Sequence, residues 1–219
     1  MLEETSFYLS GWLGYGGFGV NNNHFYDASI NLCYQLTESL APVIGYREYD
    51  LNFSKNNLNY KYLYQENLGP SIARNNAAEN SSGKYLAFLD ADDEWHTNKL
   101  EIQYKQIIKT NAKFISSSYT YKSFNNNEVS IVKYNFRDFL FSNKTSTPSV
   151  VVLKELFDNV GGFPTHQRYS EDYNLWLKLV KIEPLYKIEK PELVRLYKSA
   201  YGESGLSSHM WEMEKGELL

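Results

Sequence analysis

Gly83-Lys84-Tyr85-Leu86-Ala87-Phe88-Leu89-Asp90-Ala91-Asp92-Asp93-Glu94 is the stretch whose reading decides the fold. Tyr85 to Leu89 is an unbroken apolar run, closed before by Asn80 to Gly83 and after by acids. A short apolar run between turn signals suits a parallel strand covered on both faces. In open α/β sheets ligands gather at the carboxyl ends of such strands. Asp90, Asp92, Asp93 and Glu94 crowd that end and repel one another. A divalent cation relieves the repulsion, and carboxylate oxygens suit Mg²⁺ or Mn²⁺, which can bridge a diphosphate. A solvated acidic turn ahead of a helix explains the same residues, because a helix N-terminus favours carboxylates. Local sequence leaves both readings open. It does exclude an EF-hand, since Trp95 stands where that loop needs glycine.

Outward from this strand, helical and extended patterns alternate. Gly69-Pro70 opens a helix through Ile72, Ala73, Ala77 and Ala78, with proline tolerated in the first turn. A second helix starts near Asn98 with Thr97 as its cap and Leu100, Tyr104, Ile107 and Ile108 on one face. Phe114-Ile115, Val129 to Tyr134 and Ser149 to Leu153 read as strands, with a short helix after the last, ending at Asn159 and broken by Gly161-Gly162. Ser170 is placed to cap a helix with the buried stripe Leu175, Trp176, Leu179 and Val180. Tyr186 to Ile188 and Leu193 to Tyr197 complete the strands, and the tail from Gly202 is weakly patterned. The alternation predicts an α/β fold, a mainly parallel sheet flanked by helices in a single domain.

The first fifty residues read differently. Gly14-Tyr15-Gly16-Gly17-Phe18-Gly19 matches G-x-G-x-x-G as a string, but Asn21-Asn22-Asn23 follows where a dinucleotide site needs a helix. The string is therefore not a nucleotide loop. Tyr26, Ile30, Cys33 and Tyr34 recur at helical spacing, which predicts a helix over 25–36. Ala41 to Tyr46 and Tyr60 to Tyr64 read as short strands. The expected division is an atypical segment 1–24, a main domain 25–208 and a tail 209–219.

Composition bounds the function. The 219 residues carry a net charge of −4 with 42% hydrophobic and 22% charged residues. That excludes a disordered chain and disfavours phosphate-driven nucleic-acid binding. A lone cysteine, Cys33, cannot pair internally, and Met1-Leu2-Glu3-Glu4 lacks the basic start of a secretory signal. No apolar stretch reaches the ~20 residues of a spanning helix. A cytoplasmic location is expected.

A second acidic pair, Glu171-Asp172, opens the helix after Ser170. Acids in a first turn are ordinary helix chemistry. Equally, one carboxylate there can act as a general base toward an attacking hydroxyl. Gly161-Gly162 would let backbone approach a ligand.

Taken together, Ala73-Arg74-Asn75, the Gly83 to Asp93 stretch, Gly161-Gly162-Phe163 and Ser170-Glu171-Asp172-Tyr173-Asn174-Leu175-Trp176 resemble, in order and spacing, the inverting family 2 glycosyltransferases. The likeness runs from about Tyr60 to about Ser208 and implies the Rossmann-like GT-A fold. It implies that Asp90-Ala91-Asp92 is the D-x-D motif of a nucleotide-sugar site. Asp92 would hold Mn²⁺ or Mg²⁺ on the diphosphate, Asp90 would contact the ribose or donor sugar, and Arg74 would lie near the nucleotide. Asp172 would be the catalytic base with Glu171 beside it, and Gly161-Gly162 would shape the acceptor side.

The implied activity is metal-dependent, inverting transfer from a nucleotide-sugar, a UDP-sugar by expectation, to a hydroxyl of a glycan or lipid-linked saccharide in bacterial surface polysaccharide synthesis. A lipid-linked acceptor would bring the protein to the inner face of the membrane. The chain departs from the family pattern at its start, where no V-S-V-I-I-P-T-Y-N-like strand is found and Val43 to Asp50, with the acids Glu48 and Asp50, replaces the strand that ends in D-D-G-S. After the last strand Tyr197-Lys198-Ser199-Ala200 replaces the usual histidine, with His209 further on. These departures motivate the alternative expectation, a catalytically impaired remnant that binds sugar or protein.

Overall fold

The computed structural model describes residues 7–16, 25–34, 40–44, 63–65, 68–90, 93–124, 128–197 and 210–217. They fall into two compact units, Met1–Ala91 and Asp92–Leu219.

In the first unit, β1 (Phe7–Gly16), β2 (Phe25–Tyr34), β3 (Leu40–Ile44) and β4 (Tyr64–Gln65) precede helix α1 (Pro70–Glu79) and strand β5 (Tyr85–Leu89). The strands lie in the order β4-β1-β2-β3-β5. β1 and β2 form a ten-pair antiparallel ladder from Phe7↔Tyr34 to Gly16↔Phe25. The helix expected over 25–36 is thus a strand. Tyr26, Ala28, Ile30, Leu32 and Tyr34 alternate with Asp27, Ser29 and Asn31, a two-residue period that the helical spacing of Tyr26, Ile30, Cys33 and Tyr34 conceals. Ser, Asn and Asp are also poor interior helix formers. Gly14 and Gly16 lie within β1, in agreement with rejecting a nucleotide loop there, and Gly17 and Gly19 are outside the described residues.

β5 pairs in parallel with β3, Leu40↔Tyr85 to Ile44↔Leu89, as expected of a buried strand. Leu86 and Ala87 are fully buried, so both faces are covered. Gly69, at φ +89°, leads into Pro70, and Ala73, Ala77 and Ala78 form the buried face of α1. Small side chains there let the helix lie close over β1, β2 and β3.

The second unit holds two sheets. One runs β10 (Val151–Leu153), β7 (Phe114–Ser117), β11 (Leu185–Lys190), β9 (Ser130–Tyr134). The smaller runs β6 (Asp93–Trp95), β12 (Val194–Leu196), β8 (Tyr119–Thr120). Part of the acidic run is therefore a strand, pairing Leu196↔Asp93 to Val194↔Trp95. β7 and β11 are parallel, as are β8 and β12, while β7 with β10 and β9 with β11 are antiparallel. Pairing among the described strands is mixed where a mainly parallel sheet was expected: β1, β2 and β3 follow one another antiparallel through short connections, and β10, β9 and β6 each run antiparallel to a strand distant in sequence.

Helices α2 (Lys99–Thr110), α3 (Phe136–Phe139), α4 (Lys154–Asn159), α5 (Glu171–Ile182) and α6 (Met210–Glu217) surround these sheets, with a 3-10 turn at Thr147–Ser149. In α5 the predicted stripe Leu175, Trp176, Leu179 and Val180 is buried. Trp176 stacks on Phe114 at 5.7 Å and meets the edge of Phe163 at 5.8 Å. Each such pair contributes roughly 0.5–1.5 kcal/mol beyond area burial. Gly161 and Gly162, at φ +82° and +67°, end α4 and turn Phe163 inward. Only glycine adopts that pair of conformations cheaply. In α2 the N-cap is Asn98 rather than Thr97, and Lys99, Leu100, Gln103 and Ile107 are buried while Ile108 is 68% exposed. The tail expected to be weakly patterned contains α6.

Candidate active site

Each acidic motif sits at the end of an element built for it. Asp90 follows β5, whose buried backbone fixes where the chain leaves the sheet. Arg74 projects from the middle of α1 and donates from Nη2 to Asp90 Oδ1 at 2.7 Å. Two of the three residues expected on the nucleotide-sugar side, Arg74 and Asp90, are thus brought together within the first unit, as an ion pair. Asp90 is about a third exposed, so the pair positions the carboxylate more than it stabilises the fold. Ala91 and Asp92 lie outside the described residues, as do Glu48, Asp50 and His209. Beyond them Glu94 is engaged by Arg195 at 2.6 Å and by the Tyr197 hydroxyl at 2.7 Å. Among the described residues no three His, Cys, Asp or Glu side chains group as a metal site. The carboxylate oxygens of the acidic run are donors of the type that Mg²⁺ and Mn²⁺ accept.

The second motif lies in the second unit, where Asp172 lines a cavity of about 330 Å³. Ser170 stands before it at φ 53°, a left-handed conformation unusual for a non-glycine residue. It makes no side-chain cap to α5, contrary to expectation; its hydroxyl donates instead to the Met213 carbonyl of α6 at 2.9 Å. Gln167 secures the same helix by donating to the Gly216 carbonyl at 2.9 Å, while its own Oε1 accepts from Asn174 at 2.8 Å. Asp172 Oδ1 accepts from the Tyr173 backbone N–H at 2.7 Å, and Thr147 donates to Oδ2 at 3.4 Å. Glu171 is buried and is not among the residues lining the cavity. Of the acidic pair, the fold turns Asp172 to the open space.

The rest of the wall went unread in the sequence. Ser117 and Tyr119 line it from the end of β7 and from β8, Lys187 from β11, Ser142 to Ser146 from a loop, and Met213 from α6. The rule that ligands gather at strand ends, applied to Phe114 to Ser117, was the available signal for the first two. Beside Lys187, Glu189 accepts from Ser118 at 2.7 Å and from Tyr134 at 2.9 Å. Burial pushes its carboxyl up, but these hydrogen bonds and Lys187 at 3.5 Å outweigh that and hold it below its ordinary value.

Several known proteins resemble this chain. The E. coli UDP-Glc:alpha-D-GlcNAc-diphosphoundecaprenol beta-1,3-glucosyltransferase WfgD is 36% identical over 118 residues, covering 52% of this chain and 45% of that protein. A glycosyltransferase of Rickettsia bellii is 34% identical over 138 residues, 59% of this chain and 19% of its own. The chain therefore spans less than half the length of these relatives. Among solved structures, S. aureus TarS in complex with UDP-GlcNAc superposes with a TM-score of 0.54 at 18% identity, over 71% of this chain and 46% of that one. That likeness bears on the fold and agrees with the GT-A architecture. The model of the glycosyl transferase family 2 matches residues 45–169, more than half of the sequence and inclusive of the strand and acidic run from which the reading began. With the α/β architecture, the relatives and that match in agreement, the chain belongs to glycosyl transferase family 2.

Proposed function

We propose that this protein transfers a sugar from a nucleotide-sugar, a UDP-sugar by analogy with the UDP-glucose and UDP-GlcNAc named for its relatives, to a hydroxyl of a glycan or lipid-linked saccharide. The observation that carries the proposal is the Asp172 carboxylate lining a cavity rich in hydroxyl groups at the start of α5. A carboxylate so placed accepts the proton of an incoming hydroxyl as it attacks the anomeric carbon, and a single displacement inverts that centre. Thr147 and the Tyr173 N–H orient the carboxylate for that role. On the donor side Arg74 fixes Asp90 through Oδ1, and Oδ2 accepts nothing from the described residues, which suits it to a ribose or sugar hydroxyl. Asp92 would hold Mn²⁺ or Mg²⁺, which when bound supplies positive charge to the leaving diphosphate. The setting is surface polysaccharide synthesis, in keeping with the teichuronic acid biosynthesis named for a Bacillus subtilis relative, and a lipid-linked acceptor would bring the protein to the inner face of the membrane; no described helix is long and apolar enough to cross a membrane.

Two variants test this. Asp172→Asn is expected to keep UDP binding and lower transfer by roughly 10²–10⁴-fold, the usual worth of a general base. Asp92→Ala is expected to lose Mn²⁺-dependent UDP binding, read by calorimetry. Transfer at an undiminished rate in both variants overturns the proposal.

A further inference from the structure

The cavity beside Asp172 contains more positive charge than deprotonating a neutral hydroxyl requires. Lys187 and Lys144 both line it, and among the described residues Asp172 is its one carboxylate. Lys187 rises from β11, and its side chain is only 19% exposed. Burying an ammonium to that degree is costly unless its donors are satisfied. An ammonium has three N–H donors. Glu189 meets Lys187 only at 3.5 Å, being already occupied by Ser118 and Tyr134. Lys144 reaches the cavity from the opposing loop, where it donates to Ser142. A third observation is independent of charge. Ser117 is 1% exposed, lines the same cavity, and its hydroxyl has no hydrogen-bond partner. A buried, unpartnered hydroxyl marks a place where a ligand group completes the bonding. Tyr119, 37% exposed, adds an aromatic wall against which a sugar ring can lie.

We infer that the acceptor is an anionic saccharide, whose sugar ring lies against Tyr119 and Ser117 and whose phosphate or carboxylate is held by Lys187 and Lys144. The inference rests on reading Asp172 as the base toward the acceptor, and it adds the charge of the substrate to that reading. The two lysines act as specificity determinants: they hold the group beside the reacting hydroxyl and leave the proton transfer to Asp172. A neutral saccharide would add no counter-charge to Lys144, or to Lys187 beyond its 3.5 Å contact with Glu189, which is how the site would discriminate against it.

The test measures binding, so it does not depend on knowing the donor sugar. The whole chain is titrated by calorimetry with glucose 1-phosphate, glucuronate and methyl glucoside, and separately with UDP plus Mn²⁺. One of the two anionic sugars is expected to bind about tenfold or more tightly than methyl glucoside, the scale of one charge-assisted hydrogen bond. Whichever binds tighter identifies the group as phosphate or carboxylate. Lys187→Gln and Lys144→Gln are each expected to remove most of that advantage, while Lys187→Arg retains part of it, and UDP affinity stays unchanged in all three. Equal binding of charged and neutral sugars, or no binding of any of them, overturns the inference. So does loss of UDP affinity in the glutamine variants, which would assign the lysines to the donor diphosphate. Failure of UDP and Mn²⁺ to bind while the anionic sugar still does would sink the glycosyl-transfer reading and leave the cavity's preference standing.

Discussion

Lys99 brings an ammonium group into the interior of the second unit. It is fully buried, its Nζ has no hydrogen-bond partner, and the nearest compensation is the face of Trp95 at 4.2 Å. Burial holds its pKa well below the ordinary lysine value of 10.5. The unfolded chain keeps the proton up to that ordinary value, whereas the native state releases it earlier. Between the two values the unfolded state binds more protons, so stability rises with pH across that window. Lys99→Met keeps the stem and removes the charge. It is expected to stabilise the protein at neutral pH by about 1–3 kcal/mol, the usual cost of an unsatisfied buried polar group. It should also flatten the rise in stability toward pH 10.5, measured by urea melts at several pH values. A variant less stable than the parent at neutral pH would show that the Trp95 contact outweighs the burial cost.

At the scale of elements, α6 is held by two side chains that lie just before or at the start of α5. Ser170 and Gln167 donate to its carbonyls, and Met213 of the same helix lines the Asp172 cavity. Gly216 makes the approach possible, because a Cβ there would come within 2.4 Å of the Tyr169 carbonyl oxygen. That oxygen is backbone rather than the flexible end of a side chain, so the helix must move. Gly216→Ala is expected to cost about 1–3 kcal/mol as overpacking and to loosen the contact. Amide exchange over 210–217 should quicken while exchange in α1 is unchanged. Exchange in the variant as slow as in the parent would mean that α6 is held by other contacts. In the sequence this helix went unseen because its apolar residues, Met210, Trp211 and Met213, trace no continuous stripe and Gly216 lies inside it. Its anchoring depends on carbonyls, which no side-chain pattern encodes.

For the whole molecule, ligand binding and folding are linked. A nucleotide that binds only the native state at a hundredfold its dissociation constant stabilises by about 2.7 kcal/mol. In a chain this size that raises Tm by roughly 5–10 °C per such increment at most, and by about 2–4 °C per kcal/mol. UDP with Mn²⁺ is expected to produce that shift, and UDP with a chelator a smaller one. No shift from any nucleoside diphosphate would favour the remnant alternative, in which the atypical first fifty residues cost the protein its donor.

What the sequence determined by itself was the set of elements with strong local signals. The run Tyr85 to Leu89 suited a covered strand, Gly69-Pro70 opened a helix, and Leu175, Trp176, Leu179 and Val180 spelled out one buried face. Apolar periodicity and backbone conformational limits act over a few residues, so they are legible in a few residues. The ordered motifs were likewise enough to identify the family, which the match over 45–169 bears out. Other features were decided only in three dimensions. β2 is a strand because a ten-residue partner lies beside it, whatever its helical spacing suggested. Ser170 serves α6 instead of its own helix, and Lys187, Lys144, Ser117 and Tyr119 share one cavity wall with Asp172 although up to 70 residues separate them, Ser117 to Lys187. Strand pairing, burial and convergence on a cavity are contacts between distant segments, and their energies depend on neighbours that no local pattern names.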